Sequence, residues 1–105
     1  MKKFLSKEIK IGQTARTSKQ ITQTYLTLYA AVTGDFNPVH FDPVYSAQIR
    51  FKGPIAHGMI AAGLVSGLIG MKVPGPVLYQ AFIFLVPVKM NEIITAILEV
   101  VALLK

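Results

Sequence analysis

Apolar residues recur at helical spacing from Thr24 onward, at Tyr25, Leu28, Tyr29 and Val32, which predicts a helix from Thr22 to Thr33. Gly34 follows, where a helix C-terminus favours a residue able to take positive φ. Upstream, the polar, moderately β-prone stretch from Thr14 to Ile21 follows the turn signal Ile11-Gly12-Gln13 and predicts a short edge strand. Asp42-Pro43 offers an N-cap with proline at the first helical position, opening a second, shorter helix that should end before Gly53-Pro54. A third, central helix starts at His57-Gly58. Beyond a turn at Val73-Pro74-Gly75-Pro76 come two apolar runs, Val77 to Val86 and Glu92 to Leu104, separated by Pro87 and Asn91. Both predict strands with two buried faces. In the second, Ile94, Ala96, Leu98, Val100 and Ala102 form a wholly apolar face that should pack on the central helix, opposite Ile93, Thr95, Ile97, Glu99 and Val101.

The stretch from Gly53 to Met71 carries no Lys, Arg, Asp or Glu and contains Gly63-x-x-x-Gly67, features shared with membrane-spanning helices. Pro54 and His57 interrupt it, however, and the clean apolar run from Gly58 to Met71 is fourteen residues, the length of a buried core helix. Its glycines weaken it by about 1 kcal/mol each relative to alanine. Close packing against a wrapped sheet is the expected compensation.

At 105 residues the chain supports one domain, taken as 1–105, and 52% hydrophobic residues imply further burial against a partner copy. The absence of cysteine removes disulfides, thiolate nucleophiles and cysteine-based metal sites, leaving chemistry to oxygen and imidazole groups. A formal charge of +6 suits an anionic ligand. Nucleic acid is not the expected one, because Lys2, Lys3, Lys7 and Lys10 crowd the N-terminus and the other cations stand singly, without interleaved aromatics. The N-terminus lacks an apolar secretory core, so a cytoplasmic protein with no membrane span is expected.

The densest polar constellation runs from Thr33 to Pro43 and puts Asp35 and His40 five residues apart across an Asn37-Pro38 turn. Carboxylate and imidazole on one cavity form a general acid/base pair able to hold and activate a water. The same residues also suit local structure, with Asp35 and Asn37 in Asx-turns and His40 as a helix cap. A second feature is Gly58, which opens the uncharged helix: its backbone N–H is a donor at the positive end of the dipole, and its missing side chain admits a carbonyl oxygen. There, His57 could serve as the helix cap. Asp35, His40, Asp42 and His57 match no metal-ligand spacing, so no metal is expected. Ser66, two turns beyond Gly58, belongs to no nucleophilic triad and suits either a bond to a buried carboxylate or one to a helix carbonyl.

The run Tyr29-x-x-Val32-Thr33-Gly34-Asp35-Phe36-Asn37-Pro38-Val39-His40, with Ala47 downstream, resembles the hydratase-2 motif of (R)-specific enoyl-CoA hydratases and MaoC-like dehydratases. Pro54-Ile55-Ala56-His57-Gly58-Met59 and Ser66-Gly67-Leu68-Ile69-Gly70 continue the resemblance over nearly the whole chain. It implies an α+β hot-dog fold, an antiparallel sheet wrapped around the long helix, assembled as a homodimer or higher homo-oligomer. It also implies a catalytic dyad at Asp35 and His40, an oxyanion donor at Gly58 and Ser66 bonded to the aspartate. Asn37 and His57 are expected substrate contacts, with Val65 and Ile69 toward the floor of the pocket. The implied reaction is reversible hydration of trans-2-enoyl-CoA to (R)-3-hydroxyacyl-CoA, with no cofactor besides the coenzyme A of the substrate. Members of the family continue with two more strands where this sequence stops, so a domain shortened at its C-terminus is expected. An acyl-CoA-binding module without catalysis and an acyl-CoA thioesterase are the rival readings.

Overall fold

The computed structural model describes residues 9–50, 52–73 and 79–103. Its elements are β1 (Thr14–Gln20), α1 (Gln23–Thr33), α2 (Pro38–Phe41), α3 (Pro43–Ala47), α4 (Gly58–Lys72) and β2 (Ile93–Glu99). The expected turn at 74–76, the first two residues of the expected strand at 77–86, Leu104 and the lysines at 2, 3 and 7 lie outside the described residues.

β1 and β2 pair antiparallel, from Thr14 opposite Glu99 to Gln20 opposite Ile93. Within that register Ser18 and Thr95 face each other and share a hydroxyl hydrogen bond of 2.7 Å. The ladder brings Ala15 and Ala96 onto one face, where they bury Leu68 of α4, with Leu64, Val65 and Leu98 around them. Ile94, Ala96 and Leu98 thus turn toward the helix as their alternation dictates. The opposite face is not buried: Ile93 and Ile97 are exposed, because no second layer covers it among the described residues. β2 also stops at Glu99, short of the expected Leu104.

A second apolar cluster forms at the other end of the sheet, where Ile21, Leu26 and Ala56 pack with Phe41, Ile60, Val88, Met90 and Ile94. It seats α1 and the start of α4 on the same support. α1 ends at Gly34, which adopts φ 80° and donates its N–H to Ala30 O. Asn91 takes φ 68° in the turn before β2, a conformation that asparagine tolerates, and its N–H donates to Ile21 O at 2.7 Å. The chain entering α4 is tied to the chain leaving the 79–86 segment by an isolated bridge, Ile55 opposite Lys89, and by Ala56 N–H donating to Val88 O at 2.7 Å.

Two further expectations change. The described part of the Val77–Val86 run, from Tyr79 onward, forms no strand, because no ladder partner lies beside it among the described residues; Ile83 and Leu85 are each 85% exposed. The glycine-rich side of α4 does not meet the sheet either. Leu64 and Leu68 do, while Gly63 and Gly67 line an apolar groove of about 560 Å³ opposite Tyr25, Leu28, Tyr29 and Val32 of α1. No helix among the described residues is long and apolar enough to cross a membrane.

A Cβ added at Gly63 would meet no atom within 4 Å. Gly63→Ala is therefore expected to stabilise the fold by about 1 kcal/mol through helix propensity, raising Tm by roughly 4–8 °C in a thermal melt. A lowered Tm would mean that another surface packs on that face of α4.

Candidate active site

α2 begins at the Asn37-Pro38 turn and was hidden inside it; four residues are too few for a periodic signal. Asn37 Oδ1 accepts the Val39 N–H at 3.0 Å, and Asp42 Oδ1 accepts the N–H groups of Val44 at 2.9 Å and Tyr45 at 3.1 Å, so each short helix has its own side-chain cap. The Oδ1 of Asn37 is therefore used as a cap. These caps lock the loop between α1 and α3 and fix where Asp35 and His40 stand.

Asp35 is exposed, and its Oδ1 accepts the Asn37 N–H at 3.2 Å, the Asx-turn that its spacing suggested. His40 is buried, and its Nδ1 lies 2.6 Å from the carbonyl oxygen of Ile55. A carbonyl only accepts, so that nitrogen carries the proton and the neutral ring keeps its lone pair on Nε2. His40 thus caps no helix; it is fixed by the strip that enters α4.

His57 lies against the same ring. The two imidazoles stack with centroids 3.8 Å apart, and His57 Nε2 donates to the backbone oxygen of Asp35 at 2.9 Å. The side chain makes no capping bond to α4. One atom each of Asp35, His40 and His57 able to ligate a cation lie within 4.8 Å of one another, a convergence that can hold one small polar species, whether a water or a metal ion. Asp42 does not join it, since its carboxylate is spent on α3.

Gly58 is the first residue of α4, and among the described residues nothing accepts its N–H. The Phe84 ring lies over it: a Cβ at this position would stand 3.2 Å from two ring atoms. Gly58, His40, Ile55, Arg50 and Phe84 share an open cleft of about 720 Å³. An imidazole lone pair and an unpaired backbone donor facing one cleft are the parts needed to activate a water and to stabilise a developing oxyanion.

The other expected site residues fall elsewhere. Val65 packs into the sheet-facing cluster with Leu68 and Ala96. Ile69, the buried His57 and Asp35 do not line the cleft; Asp35 and His57 reach it at His40, with which they converge within 4.8 Å. Ser66 makes no hydrogen bond to Asp35: it stands eight residues beyond Gly58, about 12 Å along the helix at 1.5 Å per residue, whereas Asp35 gathers at the N-terminal end beside His57. Phe84 and Arg50 line the cleft without any motif having marked them, and the Ile55 carbonyl could not be marked, since a backbone group carries no residue-type signal.

An antiparallel strand pair laid on a long helix, with Asp35, His40 and His57 gathered near the helix N-terminus, is the arrangement of a hot-dog protein. Residues 5–104 match the family described as MaoC like domain, and the chain belongs to that family. It is 41% identical over 101 residues to an (R)-specific enoyl-CoA hydratase of Aeromonas caviae, covering 93% of this chain and 75% of that protein. An (R)-specific enoyl-CoA hydratase of Rhodospirillum rubrum is 37% identical over 99 residues, or 91% of this chain and 69% of the relative. Among solved structures, the (R)-hydratase from A. caviae involved in PHA biosynthesis superimposes with a TM-score of 0.88 at 40% identity, over 95% of this chain and 78% of that one. The α+β hot-dog assignment stands on this likeness.

Proposed function

We propose that this protein catalyses the reversible addition of water across the trans-2 double bond of an enoyl-CoA, giving an (R)-3-hydroxyacyl-CoA. The observation that carries the proposal is the convergence of the Asp35 carboxylate and the His40 imidazole, with His40 and the unpaired Gly58 N–H lining one cleft. Asp35 and His40 hold the water between them. As its oxygen bonds to C3, one of the pair takes a proton, and a proton is delivered from the pair to C2, so that H and OH add across the double bond with no net change at the enzyme. The two act as a unit, and neither role is assigned to one residue. The Gly58 N–H donates to the thioester oxygen as enolate charge develops there, where a fixed donor costs no reorganisation. Arg50 lines the same cleft and, with the net charge of +6, suits the phosphates of coenzyme A. The 41% identity to a named hydratase favours this activity over acyl-CoA binding without turnover or thioester hydrolysis.

The dyad and the backbone donor supply the whole reaction without a resident cofactor or metal. The test is to add the protein to crotonyl-CoA in buffer containing EDTA and follow the enoyl-thioester absorbance and free thiol together. Falling absorbance without thiol release is expected. Thiol release would instead indicate a thioesterase, and a loss of activity caused by EDTA would place a metal on Asp35, His40 and His57.

The working form in this reading is a homodimer or larger assembly in the cytoplasm. A radius of gyration of 16.2 Å exceeds the roughly 13 Å of a typical domain of this length, and Tyr79, Ile83, Leu85 and Val86 are all exposed. Apolar surface of that kind is ordinarily covered by association. Light scattering is expected to give at least twice the mass of one chain; a monomer would contradict the assembly.

A further inference from the structure

His57 is 3% exposed, its ring enclosed by those of Tyr29, His40 and Phe41. A buried imidazole needs a reason, because an apolar ring of the same size would avoid the cost of burying polar nitrogens. Its contacts supply one. Nε2 donates to the Asp35 backbone oxygen at 2.9 Å, which ties the loop carrying the carboxylate to the start of α4. The ring stacks on His40 at 3.8 Å with 30° between planes, while Tyr29 at 4.6 Å and Phe41 at 5.8 Å hold it from other directions. The next residue in the chain is Gly58. His57 is thus bonded to the residue that carries the carboxylate, stacked on the imidazole, and covalently joined to the backbone donor.

The tautomer follows from the same contacts. A carbonyl can only accept, so Nε2 carries the proton and the neutral ring has its lone pair on Nδ1. That atom is buried without a hydrogen-bond partner among the described residues, so the ring is held in place by one directional bond and by stacking. A residue used only for packing would need neither the bond nor its direction.

We propose that His57 is a positioning residue for the hydration: its bond to Asp35 O sets the carboxylate loop, and its face sets the plane of the His40 ring. This rests on the assignment of Asp35 and His40 as the acid/base pair. His57 then acts on turnover and not on substrate affinity, since misplacing catalytic groups by about 1 Å costs on the order of a hundredfold in rate.

The test compares wild type with His57→Phe, which keeps a stacking ring but lacks the donor, and His57→Gln, whose amide nitrogen can reach near the Nε2 position. With crotonyl-CoA, His57→Phe is expected to lower kcat by roughly ten- to a hundredfold with KM changed by less than about threefold, and His57→Gln to recover at least half of that loss on a logarithmic scale. A raised KM at unchanged kcat would overturn the proposal and make His57 a substrate contact; equal losses in both variants would overturn the role of the bond. A readout independent of turnover is the Phe36 amide NMR signal, which reports the peptide bond whose carbonyl accepts from His57. It should shift in His57→Phe and return toward the wild-type position in His57→Gln. A Phe36 signal unchanged in His57→Phe would overturn the proposal even if wild type proved inactive, whereas inactive wild type with the shifted and restored signal would count against the hydratase assignment alone.

Discussion

His40→Asn is expected to lower kcat for crotonyl-CoA hydration by about a thousandfold while leaving KM within a few-fold and the fold intact. The choice of asparagine follows from the two ring nitrogens having separate tasks. Nδ1–H donates to Ile55 O at 2.6 Å and belongs to the structure; Nε2 is left to the water. The asparagine amide nitrogen occupies roughly the Nδ1 position, so the bond to Ile55 survives and the Nε2 lone pair is deleted. His40→Ala should match it in kcat but also lose stability, by about 1–3 kcal/mol, because the Ile55 carbonyl loses its donor beside a ring that is only 8% exposed. Steady-state kinetics with paired thermal melts checks both statements. His40→Asn at near wild-type kcat would remove His40 from the chemistry.

The second large effect is expected at Gly58, where proline can delete the backbone N–H without breaking the helix. Gly58 is the first residue of α4, the position at which proline is best tolerated. His57 before it has φ −58° and ψ 131°, and that extended ψ is what a residue preceding proline requires. Gly58→Pro should therefore lower kcat by roughly a hundred- to a thousandfold, the usual consequence of losing one oxyanion donor. Gly58→Ala is the control, since it keeps the N–H but adds a Cβ at 3.2 Å from the Phe84 ring, as proline also does. If the two variants lose the same activity, crowding against Phe84 explains the loss and the oxyanion role fails.

What was legible in the sequence was what local chemistry determines. Gly34 ends α1 because positive φ is needed there, and Asp42-Pro43 opens α3 because a carboxylate acceptor and a residue without N–H suit that terminus. The Asp35/His40 pair was legible because one short turn brings the two together. The 79–86 segment was not, because hydrophobicity marks residues able to join a sheet, while a ladder also requires a neighbour that the sequence does not position. Val65, Ser66 and Ile69 show the same limit on α4. Their residue types fit a pocket or a support, yet the angle at which the helix meets β1 and β2 turns Val65 into the core and leaves Ser66 far from Asp35. His57 was placed in the right neighbourhood, but its burial and its bond to Asp35 O belong to the packed structure, which a histidine beside a helix-opening glycine does not announce.

The most direct test of the central claim is the configuration of the product formed from crotonyl-CoA by wild-type protein run beside Asp35→Asn. Formation of (R)-3-hydroxybutyryl-CoA by wild type, with at least a hundredfold less from Asp35→Asn, is the expected result. An (S) product, or equal rates from the two proteins, would contradict an (R)-specific hydration carried by Asp35 and His40.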